Sequence, residues 1–205
     1  MVIFDDFIAI LVTLIIIMDP LGNLPFFLLF TKNNTYQEQI KVAGIAVVAA
    51  CVILVFFGTT GYAVLHFFGI GLPAFQIAGG FILFVYSLQM LCLIPGNIKS
   101  TAEEEQEGIA KTNVALVPIA TSLLAGPGAI TTVLVWQESF DDPLSTPLLV
   151  TAIVIACLII FLVFYFGKKI HAVLGVGGIR VVARLMGLLL AVIAIQFIVN
   201  GIHQI

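Results

Sequence analysis

Long apolar runs alternating with short polar ones set the pattern of this chain. The runs cover residues 7–30, 43–67, 72–94, 113–136, 147–167 and 179–202. Each holds about the 20 residues that an α-helix needs to cross the hydrocarbon core of a bilayer. A change of composition closes every run. Thr31 to Lys41 is polar, Gly69-Ile70-Gly71-Leu72-Pro73 is a tight break, and Pro95 to Lys111 carries a Glu cluster (Glu103, Glu104, Glu105, Glu107). Gln137 to Pro147 is acidic, and Gly167 to Gly178 contains Lys168 and Lys169. The pattern predicts an all-α polytopic membrane protein of six transmembrane helices.

Two of the runs are interrupted. In the first, Asp19 stands 12 residues beyond Phe7, roughly 18 Å along a helix and so near mid-membrane. An ionisable group at that depth costs about 2.5–3.5 kcal/mol on insertion scales, which points to a use. Pro20 follows, then Leu21-Gly22-Asn23-Leu24-Pro25. Proline disfavours helix in the residue before it and suits the first helical position. Asp19 is thereby expected to cap a second half-helix. In the fourth run the corresponding stretch is Ala125-Gly126-Pro127-Gly128-Ala129-Ile130-Thr131-Thr132, with Gly126 at the cap and Pro127 first in the helix. A helix start without a capping side chain attracts anions. One break thus carries a carboxylate and the other a bare N-terminus, a pair of environments suited to a zwitterion. Simple structural kinks are the plainer alternative, since transmembrane helices tolerate them.

The halves echo one another. A shift of 107 residues lays Pro20 on Pro127, Gly80 on Gly187 and Gln89 on Gln196, and a shift of 106 lays Gly69 and Gly71 on Gly175 and Gly177. Three spans per half makes the second half run through the membrane in the opposite sense, an inverted repeat in which broken helices meet near the midplane. The expected units are 1–94, the first three-helix repeat; 95–112, a cytoplasmic loop; and 113–205, the second, inverted repeat. The second spans, poor in polar residues, are expected to face lipid or brace the bundle. Ala74-Ala78 and Ala183-Gly187-Ala191 read as close helix contacts.

Charge adds orientation. Only 9% of the 205 residues are charged and 61% are hydrophobic, whereas a soluble domain carries about 25% charged residues. All eight Lys and Arg fall in or beside the first, third and fifth loops. The positive-inside rule places those loops in the cytoplasm and both termini on the other side. Arg180 and Arg184 read as anchors at the cytoplasmic mouth. A net charge of −3 without a basic patch excludes nucleic acid as a partner. Cys51, Cys92 and Cys157 have no paired spacing and read as small apolar packers. His66, His171 and His203 are scattered. No metal, cofactor or enzymatic cluster is expected, and no Walker-type loop serves ATP.

Asp19 to Pro25, Phe75-Gln76-Ile77-Ala78-Gly79-Gly80, Val117-Pro118-Ile119-Ala120, Ala125 to Ile130, Arg184-Leu185-Met186-Gly187-Leu188-Leu189-Leu190 and Gln196-Phe197-Ile198-Val199-Asn200-Gly201-Ile202 resemble the MarC family across nearly the whole chain. The resemblance implies a six-span inner-membrane protein and a carrier of small neutral amino acids such as glycine and alanine, with a proton as candidate coupling ion. Ser122 stands where members often have proline, and Gln76 where many have arginine. The expected solute-binding residues are Asp19, Pro20, Gly22 and Asn23 at one break and Ala125, Gly126, Pro127, Gly128 and Thr131 at the other. Gln89 and Gln196 are the matched polar pair of the third spans. The alternative is a channel or a non-transporting membrane scaffold.

Overall fold

A computed structural model describes residues 2–93, 124–138 and 145–204, and its elements are all helices. They are α1 (Val2–Met18), α2 (Pro20–Phe30), α3 (Tyr36–Phe68), α4 (Leu72–Met90), α5 (Pro127–Glu138), α6 (Ser145–Tyr165) and α7 (Gly167–His203). Among the described residues five segments are long and apolar enough to cross a membrane: Asp5–Phe30, Tyr36–Gly61, Leu72–Met90, Thr146–Tyr165 and Gly177–His203. These match five of the six expected spans. α5 forms the latter part of the remaining one, and at 12 residues it is about 18 Å long, too short to cross alone. Residues 113–123 of that span, including Thr121 and Ser122, lie outside the described residues, as does the expected loop 95–112. The protein is a multi-pass, all-helical membrane protein.

Local sequence sets the ends of the elements. Thr35 and Glu38 form a reciprocal capping box that starts α3. Gly69 ends it in the left-handed region (φ 65°), with Gly69 N–H donating to the His66 carbonyl and Ile70 N–H to that of Leu65. This is the Schellman arrangement. α4 stops the same way four residues earlier than expected. Cys92 takes the left-handed position (φ 59°), and Leu93 N–H reaches back to the Leu88 carbonyl, 3.0 Å away. Within α7, Gly175 (φ 62°, ψ 178°) interrupts the helix, so the spanning part begins after it. That backbone conformation is essentially restricted to glycine.

α3 and α6 pack against each other, and Ala43, Ala46, Ala50, Ala152, Ile153, Ala156 and Ile160 of these helices are buried. Their other faces present Val48, Val52, Phe56, Val154, Leu158 and Leu162 outwards, as a lipid-facing surface should. The second spans thus brace the bundle on one face and leave apolar side chains exposed on the other. α4 and α7 run antiparallel in the closest pairing of the bundle. A Cβ on Gly80 would stand 2.8 Å from the Ala194 carbonyl, on Gly187 2.9 Å from Met90 Cβ, and on Gly201 2.8 Å from the Pro73 carbonyl. Small residues at such contacts let backbones approach, the main source of helix association in lipid. Ala74 and Ala78, expected at close helix contacts, are exposed; the buried Gly80 carries the contact with α7, while Gly79 meets Thr131 of α5. Phe27 of α2 stacks on Phe164 of α6, with ring centroids 4.5 Å apart, a contact of about 0.5–1.5 kcal/mol beyond area burial.

Candidate functional site

The first break is a kink of one residue. Asp19 adopts φ 39°, ψ 67°, α1 closes with Asp19 N–H donating to the Ile15 carbonyl, and α2 opens with Asn23 N–H donating to that of Asp19. Pro20 holds the first helical position, where no N–H is missed. Asp19 Oδ1 accepts from Gly22 N–H at 3.0 Å, the cap expected from sequence. Asp19 Oδ2 is buried and, among the described residues, has no hydrogen-bond partner. Burying a carboxylate oxygen unpaired is costly, so this atom is poised for a donor. It rests over Gly22, where an added Cβ would collide with Oδ2 and with Met90 Cε.

Asn23 ties the kink together. Its Nδ2 donates to the Met18 carbonyl (2.9 Å), one of the acceptors orphaned where α1 ends. Its Oδ1 accepts from Tyr86 Oη of α4 at 3.0 Å. Pro25 has no N–H to offer the Leu21 carbonyl, so a second acceptor is released one turn into α2.

At the second break, Ala125 and Gly126 lie outside the helix and α5 starts at Pro127, with Ile130 N–H donating to the Gly126 carbonyl. Among the described residues no side chain caps this start. Thr131 and Thr132 Oγ1 each donate at 2.8 Å to carbonyls of their own helix, those of Pro127 and Gly128. Ala125, Gly128 and Thr131 are buried and Pro127 is exposed.

One stripe of α4 touches both breaks. Gly79 lies against Thr131, Leu83 against Gly128, Met90 against Gly22, and Tyr86 bonds Asn23. These four positions recur at helical spacing on a single face. Leu83 and Tyr86 are three residues apart, so the two half-helix starts come to α4 within roughly 4.5 Å of the same depth.

From the α2 break a cavity of about 410 Å³ extends toward the end of the bundle that carries Lys32 and Lys168. Gly22 of α2, Tyr86, Gln89 and Met90 of α4 with Cys92 just after it, and His171, Arg180 and Ala183 of α7 line it. Its size is that of a small-molecule pocket. At the opposite end a second pocket of about 420 Å³ is lined by Leu72, Pro73, Gln76, Val135, Glu138 and Gln204. Between them stand the Gly79–Thr131 and Leu83–Gly128 contacts.

Of the residues expected from sequence, Gly22 and Gln89 line the larger cavity, while Asp19, Pro20 and Asn23 form the kink behind Gly22. Ala125, Gly126, Pro127, Gly128 and Thr131 belong to the second break and do not line this cavity. Gln196 is exposed and donates to Asn200 Oδ1 at 2.6 Å; the structure does not bring it to the site. Cys92, read as an apolar packer, is exposed at the cavity, whereas Cys157 is buried as expected. Tyr86, His171 and Arg180 were not expected at the site. Tyr86 was legible in part, since it lies three residues before Gln89 and so on the same helix face. Arg180, read from sequence as an anchor at the mouth of the bundle, lines the cavity, whereas His171 gave no local signal because the Gly175 interruption separates it from the spanning part of α7.

The sequence pattern of the MarC family integral membrane proteins matches residues 4–205. The chain belongs to the MarC family. Similar relatives include a UPF0056 membrane protein of Aquifex aeolicus, 35% identical over 203 residues, covering 97% of this chain and 93% of the relative. Another, from Methanocaldococcus jannaschii, is 38% identical over 189 residues and 91% of each chain. The UPF0056 membrane protein YhcE of Escherichia coli is 31% identical over 189 residues, 92% of this chain and 88% of its own. No solved structure matches the chain. The break motif, the Gly79-Gly80 contact and the cavity-lining stripe of α4 are therefore features of a MarC family protein matched over almost its full length.

Proposed function

We propose that the chain is a secondary transporter of small neutral amino acids, of the glycine and alanine class, seated in the inner membrane with both termini outside the cytoplasm. The observation that carries this reading is the uncompensated Asp19 Oδ2, buried behind Gly22 where the cavity begins. A solute ammonium would find Asp19 Oδ2 and the released Leu21 carbonyl at that end, and its carboxylate would face Arg180 and His171 at the other. A bulky drug has no comparable anchor.

The transport cycle we propose is alternating access between two inverted three-helix repeats, with a proton as candidate coupling ion. Supporting it, the two glycines of positive φ among the described residues are Gly69 and Gly175, equivalent under the 106-residue shift. Packing is reciprocal too: α4 contacts α5 as α7 contacts α2. In the proposed cycle this conformation would be the one open at the basic end, with the Gly79–Thr131 and Leu83–Gly128 contacts as the barrier toward the Gln76 side. Separation of that contact would open the Gln76–Glu138 side and expose the α5 N-terminus to the solute carboxylate.

Counterflow of radiolabelled glycine and alanine in proteoliposomes tests the proposal. Saturable exchange is expected, lost in Asp19→Asn, which keeps the cap because asparagine caps helices as well. Absence of saturable exchange for any small zwitterion would leave a membrane scaffold as the reading.

A further inference from the structure

At the basic end of the bundle a second pocket, of about 480 Å³, lies beside the solute cavity and shares Pro25 and His171 with it. Its other walls include Leu28, Leu29, Lys32 and Lys168. Lys32 follows Thr31, the C-cap of α2, and Lys168 and His171 stand one turn apart on α7. Among the described residues no acidic residue lines the pocket, and neither lysine is paired with a carboxylate. Lys169, by contrast, is turned to the Phe166 ring, 5.7 Å from its centroid. Converging cations without a counter-charge are unfavourable unless an anion sits among them.

Two backbone features reinforce the sign. The exposed carbonyl end of α2 would carry negative partial charge, but the buried Gln39 donates Nε2 to the Thr31 carbonyl at 2.8 Å. The start of α7 has no capping side chain at Phe166, and Gly167 packs against Leu24 and Leu28, which sets that positive terminus beside the pocket. The remaining wall is apolar: Pro25, Leu28 and Leu29, the last 61% exposed on the outer surface. A soluble phosphate would gain nothing from that wall, whereas an acyl chain would lie along it.

We propose that this pocket binds the phosphate headgroup of an anionic glycerophospholipid, with Lys32, Lys168 and His171 around the phosphate and the glycerol and acyl portion against Leu28 and Leu29. Basic pockets between transmembrane helices recognise such headgroups elsewhere. A bound lipid bridges α2 and α7, the two helices that supply one wall of the solute cavity each. The site does not depend on the transport reading.

The test measures binding of dioctanoyl phosphatidylglycerol, dioctanoyl phosphatidylcholine and inorganic phosphate to the detergent-solubilised full chain, by thermal shift and native mass spectrometry. Saturable binding of the phosphatidylglycerol alone is expected. Each lysine should be worth about fivefold in affinity, the equivalent of about 1 kcal/mol. Lys32→Gln with Lys168→Gln should therefore weaken binding roughly 25-fold. The control pair Lys41→Gln with Lys169→Gln removes the same charge from the same end and should leave binding unchanged. Equal loss in the control pair would overturn the proposal in favour of diffuse attraction. Equal binding of phosphatidylcholine would overturn the headgroup, and inorganic phosphate binding as tightly as the lipid would overturn the lipid.

Discussion

A carboxylate in the middle of a bilayer needs a reason to stay, and at Asp19 the reason is divided between its two oxygens. Oδ1 satisfies a helix N-terminus through Gly22 N–H, and Oδ2 is left for something else. Gly22→Ala should therefore fail on steric grounds, because the new Cβ meets Oδ2 and Met90 Cε together. The expected loss is about 1–3 kcal/mol, read by denaturation in mixed micelles; wild-type stability would show that the carboxylate is free to move aside. Asn23 and Tyr86 offer a second measurement. In a double-mutant cycle with Asn23→Ala and Tyr86→Phe, their bond should give a coupling of about 0.6 kcal/mol, the usual value inside membranes. A coupling of zero would mean that Tyr86 does not hold the kink.

At the scale of elements, glycine positions decide how close helices come and where they bend, and two neighbours separate these roles. Gly175 and Gly177 both have open space where a Cβ would go, but only Gly175 has positive φ. Gly175→Ala should cost about 1–3 kcal/mol through backbone strain, while Gly177→Ala should be neutral or slightly stabilising; equal effects would refute the interruption of α7. The α4–α5 contact makes a different prediction. Gly79→Ala places a methyl group against Thr131, which should disfavour the conformation closed at the Gln76 end and lower exchange activity. Thr131→Ala in the same chain should restore part of it, and a lack of any rescue would separate Gly79 from that contact.

For the whole molecule, the proposed cycle requires the larger cavity to be reachable from the basic end alone in this conformation. Cys92 reports on this, since it is exposed at the cavity while Cys157 is buried and Cys51 partly so. In inside-out vesicles Cys92 should react with a membrane-impermeant maleimide, several-fold more slowly when saturating alanine is present. Equal labelling from both sides of the membrane would contradict a closed α4–α5 contact.

Apolar run length alone determined the all-helical, multi-pass character of the chain, because the bilayer admits few structures and requires about 20 apolar residues for each helix. Pro20 and Pro127 likewise fixed where α2 and α5 begin, since proline acts on the backbone beside it. Which polar residues share a cavity was decided only by tertiary structure. Gln89 and Gln196 are equivalent in the sequence, yet α4 turns one inward and α7 turns the other outward. Arg180 and His171 line the cavity that begins at the α2 break from either side of a glycine interruption that no periodicity encodes. Local chemistry propagates a few residues along the chain; the meeting of side chains from α2, α4 and α7 depends on how closely Gly80, Gly187 and Gly201 let the backbones approach.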